Sequence, residues 1–199
     1  PGNWTRKLDQ ENGCEKRMTF LNPLELTGRA ATHVVESPAL DARLHAEVIQ
    51  AVESLRGASA AAGIDLQVVS SFRDFSRQAG IWNGKFRGER PMLDRAGQPL
   101  DARTLDAAGR VRSILIWSAL PGASRYHWGT DFDVIDRAAV APDYRPQLTI
   151  DEFTGNGPFV RLNEWLAANL GNHGFFRPYG TDRGGVHPVA ALVVHAHEP

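Results

Sequence analysis

Residues 127–133 bring His127, Gly129, Asp131 and Asp133 together directly after a loop that contains Pro121 and Gly122. Imidazole and carboxylate are the side chains that hold divalent metals, and a hydrolytic zinc site uses three protein ligands and leaves a fourth position for water. The run Asp-Phe-Asp-Val-Ile reads as a short strand. Alternation then sends Asp131 and Asp133 to one face and Phe132 and Val134 to the other. Gly129 allows a turn tight enough to bring His127 round to the acid face. Taken alone, the same residues also suit a loop-capping histidine beside two acids at a strand end, because a third ligand must come from elsewhere in the chain.

A second candidate is Arg73, at the exit of the apolar segment 66–70, with Gln78 five residues on. An arginine in that place can clamp a loop carbonyl or present a two-pronged fork to a substrate carboxylate.

The elements that must position these groups follow from periodicity and breakers. Residues 1–20 read as a polar arm and 21–199 as a single domain. Ser37-Pro38 predicts a helix start, after which Leu40, Leu44, Val48, Val52 and Leu55 recur at three- and four-residue intervals until Gly63. His45, beside Leu44, reads as a surface residue. Residues 66–70 predict a buried strand, and Asp74 caps a helix carrying Gln78, Ile81 and Trp82. Residues 84–103 look like a loop able to overhang a cleft. Further helices are expected over about 103–117 and over 158–170, with one helical turn at 149–153 and a terminal strand within 191–197. Helices interleaved with short strands predict an α+β domain, a small mainly antiparallel sheet with flanking helices.

Composition narrows the function. The chain has 199 residues, 42% hydrophobic and 23% charged, enough for one domain with a proper core. A net charge of −1, a pI near 6.8 and scattered basic residues argue against nucleic acid or an anionic membrane as partner. The single cysteine, Cys14, leaves no intrachain disulfide and no cysteine metal cluster, and reads as incidental. No apolar run approaches the ~18 residues of a membrane span, and no signal peptide is legible. A first residue of Pro rather than Met is what a mature exported protein or a trimmed piece would show.

Three segments together resemble the D-alanyl-D-alanine carboxypeptidases of the VanY type, zinc peptidases that trim bacterial cell-wall peptides. Ser70-Ser71-Phe72-Arg73 with Gln78 is similar to the family's Ser-x-(aromatic)-Arg…Gln segment, and residues 124–133 to its Ser-x-His-x-x-Gly-x-Ala-x-Asp metal motif. Residues 174–186 look like the approach to its closing Glu-x-Trp-His. The resemblance implies the hedgehog/D-Ala-D-Ala carboxypeptidase-like zinc peptidase fold. It also implies a Zn2+ ion, removal of the terminal D-Ala from a peptidoglycan stem peptide ending in D-Ala-D-Ala, a periplasmic or extracellular location and a monomer. Arg73, Gln78 and Ser124 would bind the substrate carboxylate, while His127 and Asp133 would hold the metal.

Two departures stand out. The family's first ligand histidine falls at position 126, which is Tyr126, so His127 sits one residue late. His127-x-Gly-x-Asp131 also matches the HxGxD pattern of lysostaphin-type endopeptidases, which keeps Asp131 as a competing ligand and a D,D-endopeptidase as a competing activity. After Gly185-Val186-His187-Pro188 comes Val189-Ala190, with no Glu-x-Trp-His. His195-Ala196-His197 is the best substitute, since alternation puts both imidazoles on one strand face, His197 to ligate and His195 to take a proton. His187 is the second choice, and a frayed tail is the plain alternative. Loss of that motif also allows a non-catalytic module that binds wall peptides.

Overall fold

The computed structural model describes residues 21–178 and the backbone of Leu192–His195. Cys14, His187 and His197 lie outside the described residues.

Asn22 opens α1 (Pro23–Leu26) by accepting from the amides of Leu24 and Glu25, while Glu25 accepts from the Asn22 N–H at 2.8 Å. This capping box, with Pro at the first helical position, makes a helix start of what reads in sequence as a turn. The long helix expected from Ser37 is replaced by a hairpin. There β1 (Val34–Ser37) pairs antiparallel with β2 (Ala42–His45), and Asp41 takes left-handed backbone at φ 49° to close it. Of the expected stretch, a 3-10 turn at Ala46–Val48 and α2 (Ile49–Ala61) are helical. Leu40 and Leu44 from the hairpin and Val48, Val52 and Leu55 from the helical side all enter one core, so two elements share a spacing that looks like one. His45 is buried at 8% exposure rather than superficial.

The following elements match their signals more closely. β3 (Leu66–Ser70) leads to α3 (Phe75–Phe86), whose first turn is capped by Asp74 accepting from Arg77 N at 2.7 Å. The expected 84–103 loop contains the end of α3 and a small ribbon, β4 (Met92–Leu93) with β5 (Pro99–Leu100). α4 (Ala107–Trp117) starts at the cap Asp106, and Trp82, Met92, Ala102 and Ile114 form a separate apolar cluster beneath it. β6 (Asp131–Asp136) is followed by α5 (Ile150–Phe153), α6 (Val160–Asn169), β7 (Phe175–Phe176) and β8 (Leu192–His195).

Among the described residues the main sheet has the order β3-β6-β8-β7, antiparallel throughout, with helices flanking it. This is the expected α+β architecture. Every residue of β6 is buried, and Phe132 packs edge-on against Phe175 at 5.5 Å between ring centres. The hairpin is locked to the loop before β6 by His45 N, which donates to the Gly129 carbonyl at 2.8 Å. Gly129 lies at φ 72°, and a Cβ there would stand 2.5 Å from Val34 and 2.8 Å from His45 N. We expect Gly129→Ala to lower the unfolding free energy by about 2–4 kcal/mol in urea titrations, from left-handed strain plus overpacking. A loss under about 0.5 kcal/mol would mean that the turn relaxes freely.

Candidate functional site

The segment between α4 and β6 carries the chemistry because it is pinned on both sides. Gln78 and Trp82, four residues apart on one face of α3, donate to the Ala119 carbonyl at 2.6 and 2.9 Å. Ser124, buried at 3% exposure, then starts a 3-10 turn, Arg125–Trp128, and Gly129 ends that turn in the left-handed region.

His127 is fully buried, and both of its ring nitrogens are engaged by backbone. Nδ1–H donates to the Arg73 carbonyl at 2.5 Å, and Nε2 accepts from Gly122 N at 3.0 Å. Its own carbonyl takes a hydrogen bond from His33 Nε2 at 2.8 Å. A side chain at Gly28, itself at φ 70°, would collide with the imidazole. Burial lowers the pKa of His127, and a neutral ring with one donor and one acceptor is the form these partners require. Turning Nε2 or Nδ1 to an ion would break one of these bonds. The expectation that His127 ligates a metal therefore meets a ring already used to join the 118–124 loop to the exit of β3.

Asp131 and Asp133 share a face, as alternation requires, but they have different partners. Asp131 is fully buried and accepts from Arg125 Nε at 2.9 Å and from Thr130 Oγ1 at 3.0 Å. Asp133 Oδ2 accepts from the Tyr126 hydroxyl at 2.6 Å, and its Oδ1 has no hydrogen-bond partner among the described residues. Burial raises the pKa of Asp133 to about 6, against the opposing effects of Tyr126 and Arg73. Burial and the neighbouring Asp133 likewise raise that of Tyr126, so the phenol stays protonated and donates.

Arg73 closes the site from the β3 side. Its Nη1 donates to Gln78 Oε1 at 2.9 Å and its Nη2 to Ser70 Oγ at 3.3 Å, and the guanidinium lies over the Tyr126 ring, 4.5 Å from its centre. The structure thus brings together Arg73, Gln78, Tyr126 and Asp133. His195 is placed only by register, opposite Phe175, while Val194 and Leu192 stand opposite Asp131 and Asp133. Directly paired residues share a face of the sheet, so position 195 is out of step with the two aspartates. Two residues that sequence reading did not select join the site. Ser70 is visible as the first residue of the Ser70-Ser71-Phe72-Arg73 segment, and Tyr126 only as a mismatch to a motif.

The sequence profile of the VanY family, described as D-alanyl-D-alanine carboxypeptidase, matches residues 41–190. The chain belongs to this family. A Haemophilus influenzae protein of uncharacterised function is 44% identical over 103 residues, covering 50% of this chain and 70% of its own. Among solved structures, VanYB in complex with D-Ala-D-Ala has a TM-score of 0.62 at 18% identity, covering 82% of this chain and 77% of its own. A zinc-bound mutant of the D,D-pentapeptidase VanY from a VanB-type resistance cassette reaches 0.59 at 19%, covering 84% and 82%. The LD-carboxypeptidase LdcB reaches 0.56 at 16%, covering 83% and 68%. At these identities the structural likeness establishes the VanY-like zinc peptidase fold, on which different terminal peptide bonds are cut.

Zinc in a VanY-type neighbour raises the question of fit here. Among the described residues no three His, Cys, Asp or Glu side chains converge on a point an ion could occupy. Tyr126, a poor ligand while protonated, engages Asp133, and His127 is turned to backbone. The described residues do not fit the ion.

A buried acid with a raised pKa gives a testable pH signature. With a folded pKa of about 6 against an ordinary 3.8, Asp133 keeps its proton in the fold while the unfolded chain has already lost it. Stability from this group is full below pH ~4 and is lost as pH rises through ~6. Relative to Asp133→Asn, the wild-type chain should be more stable at pH 4 than at pH 7 by up to about 3 kcal/mol, read from denaturation curves. A difference that does not change with pH would show that Asp133 is charged in the folded state.

Proposed function

We propose that this VanY-family chain captures the C-terminal carboxylate of cell-wall stem peptides on Arg73, as a recognition module that works without a catalytic ion. The observation that carries this reading is Arg73 itself. Its guanidinium is half-buried, burial lowers its pKa, and its hydrogen-bond partners, Gln78 Oε1 and Ser70 Oγ, are neutral. Asp133, the nearest acid acting on it, is biased towards its own neutral form. A buried cation without a paired anion is costly, and a planar fork with unused N–H groups matches a carboxylate. Gln78 fixes the plane of the fork, and Ser124 lines the approach from the loop. The ligand we infer is a peptidoglycan stem peptide ending in D-Ala-D-Ala, met by a monomer outside the cytoplasm. No described helix is long and apolar enough to cross a membrane.

A second reading is a zinc-dependent D,D-carboxypeptidase that removes the terminal D-Ala, with D,D-endopeptidase cleavage of cross-links as its near relative. It is supported by family membership and by Asp133 Oδ1, a buried acid oxygen with no partner among the described residues. One experiment separates the readings: calorimetry and D-alanine release for the full chain with an acylated D-Ala-D-Ala peptide, with and without added zinc. Recognition predicts binding in both conditions, no D-alanine, and weaker binding of the C-terminally amidated peptide. Zinc-dependent release, abolished in His127→Ala together with bound zinc, would establish the hydrolase instead. Arg73→Ala should weaken binding of the free-acid peptide by 10-fold or more, about 1.4–3 kcal/mol, and leave the amide unaffected.

A further inference from the structure

Arg73 is not alone as a half-buried cation on this rim. Lys85 is also half-buried and follows Gln78 by two turns on the same face of α3. Its ammonium donates to Ser118 Oγ at 2.8 Å, next to the Ala119 carbonyl that receives Gln78 and Trp82 at 2.6 and 2.9 Å. Arg73, Gln78, Trp82 and Lys85 are thereby strung along one short strip of chain. Neither cation has a carboxylate within ion-pair reach among the described residues, and Lys85 has only a neutral hydroxyl as hydrogen-bond partner. The C-terminal end of α4, which Ser118 caps, offsets part of the Lys85 charge, but two of the three ammonium donors remain available. Burial, then Arg73 and Arg90, all disfavour its charged form, and the stem of Arg90 lies against Gly84 beside it. An anionic group at this point would relieve all three effects.

We propose that the rim takes a peptide terminus bearing two carboxylates, with the terminal one on Arg73 and a second, from a side chain a residue or two upstream, on Lys85. This rests on the carboxylate-capture reading above and names the class of peptide it selects. The probe is a pair of acylated peptides, both ending in D-Ala-D-Ala, with either lysine or diaminopimelate as the preceding residue, so that they differ by one side-chain carboxylate. In calorimetry with the full chain, the diaminopimelate peptide should bind about tenfold tighter. Lys85→Met should erase that ratio while leaving the lysine peptide unchanged, and Lys85→Arg should keep it, both variants being checked for the wild-type far-UV spectrum. Equal affinities in the wild-type chain, or a preference that survives in Lys85→Met, would overturn the proposal and leave capture by Arg73 standing. Binding of neither peptide would overturn both.

Discussion

Asp133 lies within a strand that water does not reach, and the way its charge is handled decides the rest of the site. A carboxylate in that place needs either a cation or a proton. Here burial favours the proton, and the Tyr126 hydroxyl, at 2.6 Å, satisfies one oxygen. The 3-10 turn ending at Gly129 sets the height of the Tyr126 ring above β6, and Arg73 stacks on that ring. Residue 126, strand β6 and Arg73 therefore form one unit. At position 126 a phenol donates a hydrogen bond to Asp133.

His127 shows how such a unit is anchored. Its ring joins three segments by hydrogen bonds: the carbonyl of Arg73 at the exit of β3, the amide of Gly122 in the loop, and, through its own carbonyl, His33 at the start of the hairpin. An imidazole with one donor and one acceptor does this where a lysine or a carboxylate could not. The absence of a side chain at Gly28 leaves room for it. Placing the Arg73 backbone also aims its guanidinium.

Much of this fold is legible in the sequence, for reasons that individual elements make plain. Asp74 before a helical period, Thr149 with Glu152, and the alternating run at Asp131 are local signals, and local hydrogen bonds honour them. The hairpin at 34–45 is hidden because Leu40, Leu44 and Val48 keep helical spacing although a turn at Asp41 interrupts them, and the end of the hairpin away from that turn is held by a long-range hydrogen bond from His45 N to the Gly129 carbonyl. Arg73 with Gln78 is readable because five residues across a cap place a helix side chain back over the strand exit. The role of His127 is not, because its partners are backbone groups 54 residues upstream and five residues before it, which residue identity does not encode. In the HAH tail alternation gives two faces, and only the strand register places position 195, opposite Phe175.

The Arg73 guanidinium is placed by β3, by the first turns of α3 and by the Tyr126 ring, none of which needs an ion. Arg73 has only neutral hydrogen-bond partners in Gln78 and Ser70, with Asp133 offsetting its charge in part, and Lys85 meets only Ser118. Half-buried cations of that kind persist where an anion arrives from outside, since in its absence desolvation weighs against each of them. The positive charge left over is thus the physical ground for expecting an acidic ligand here, whatever becomes of the bond beside it.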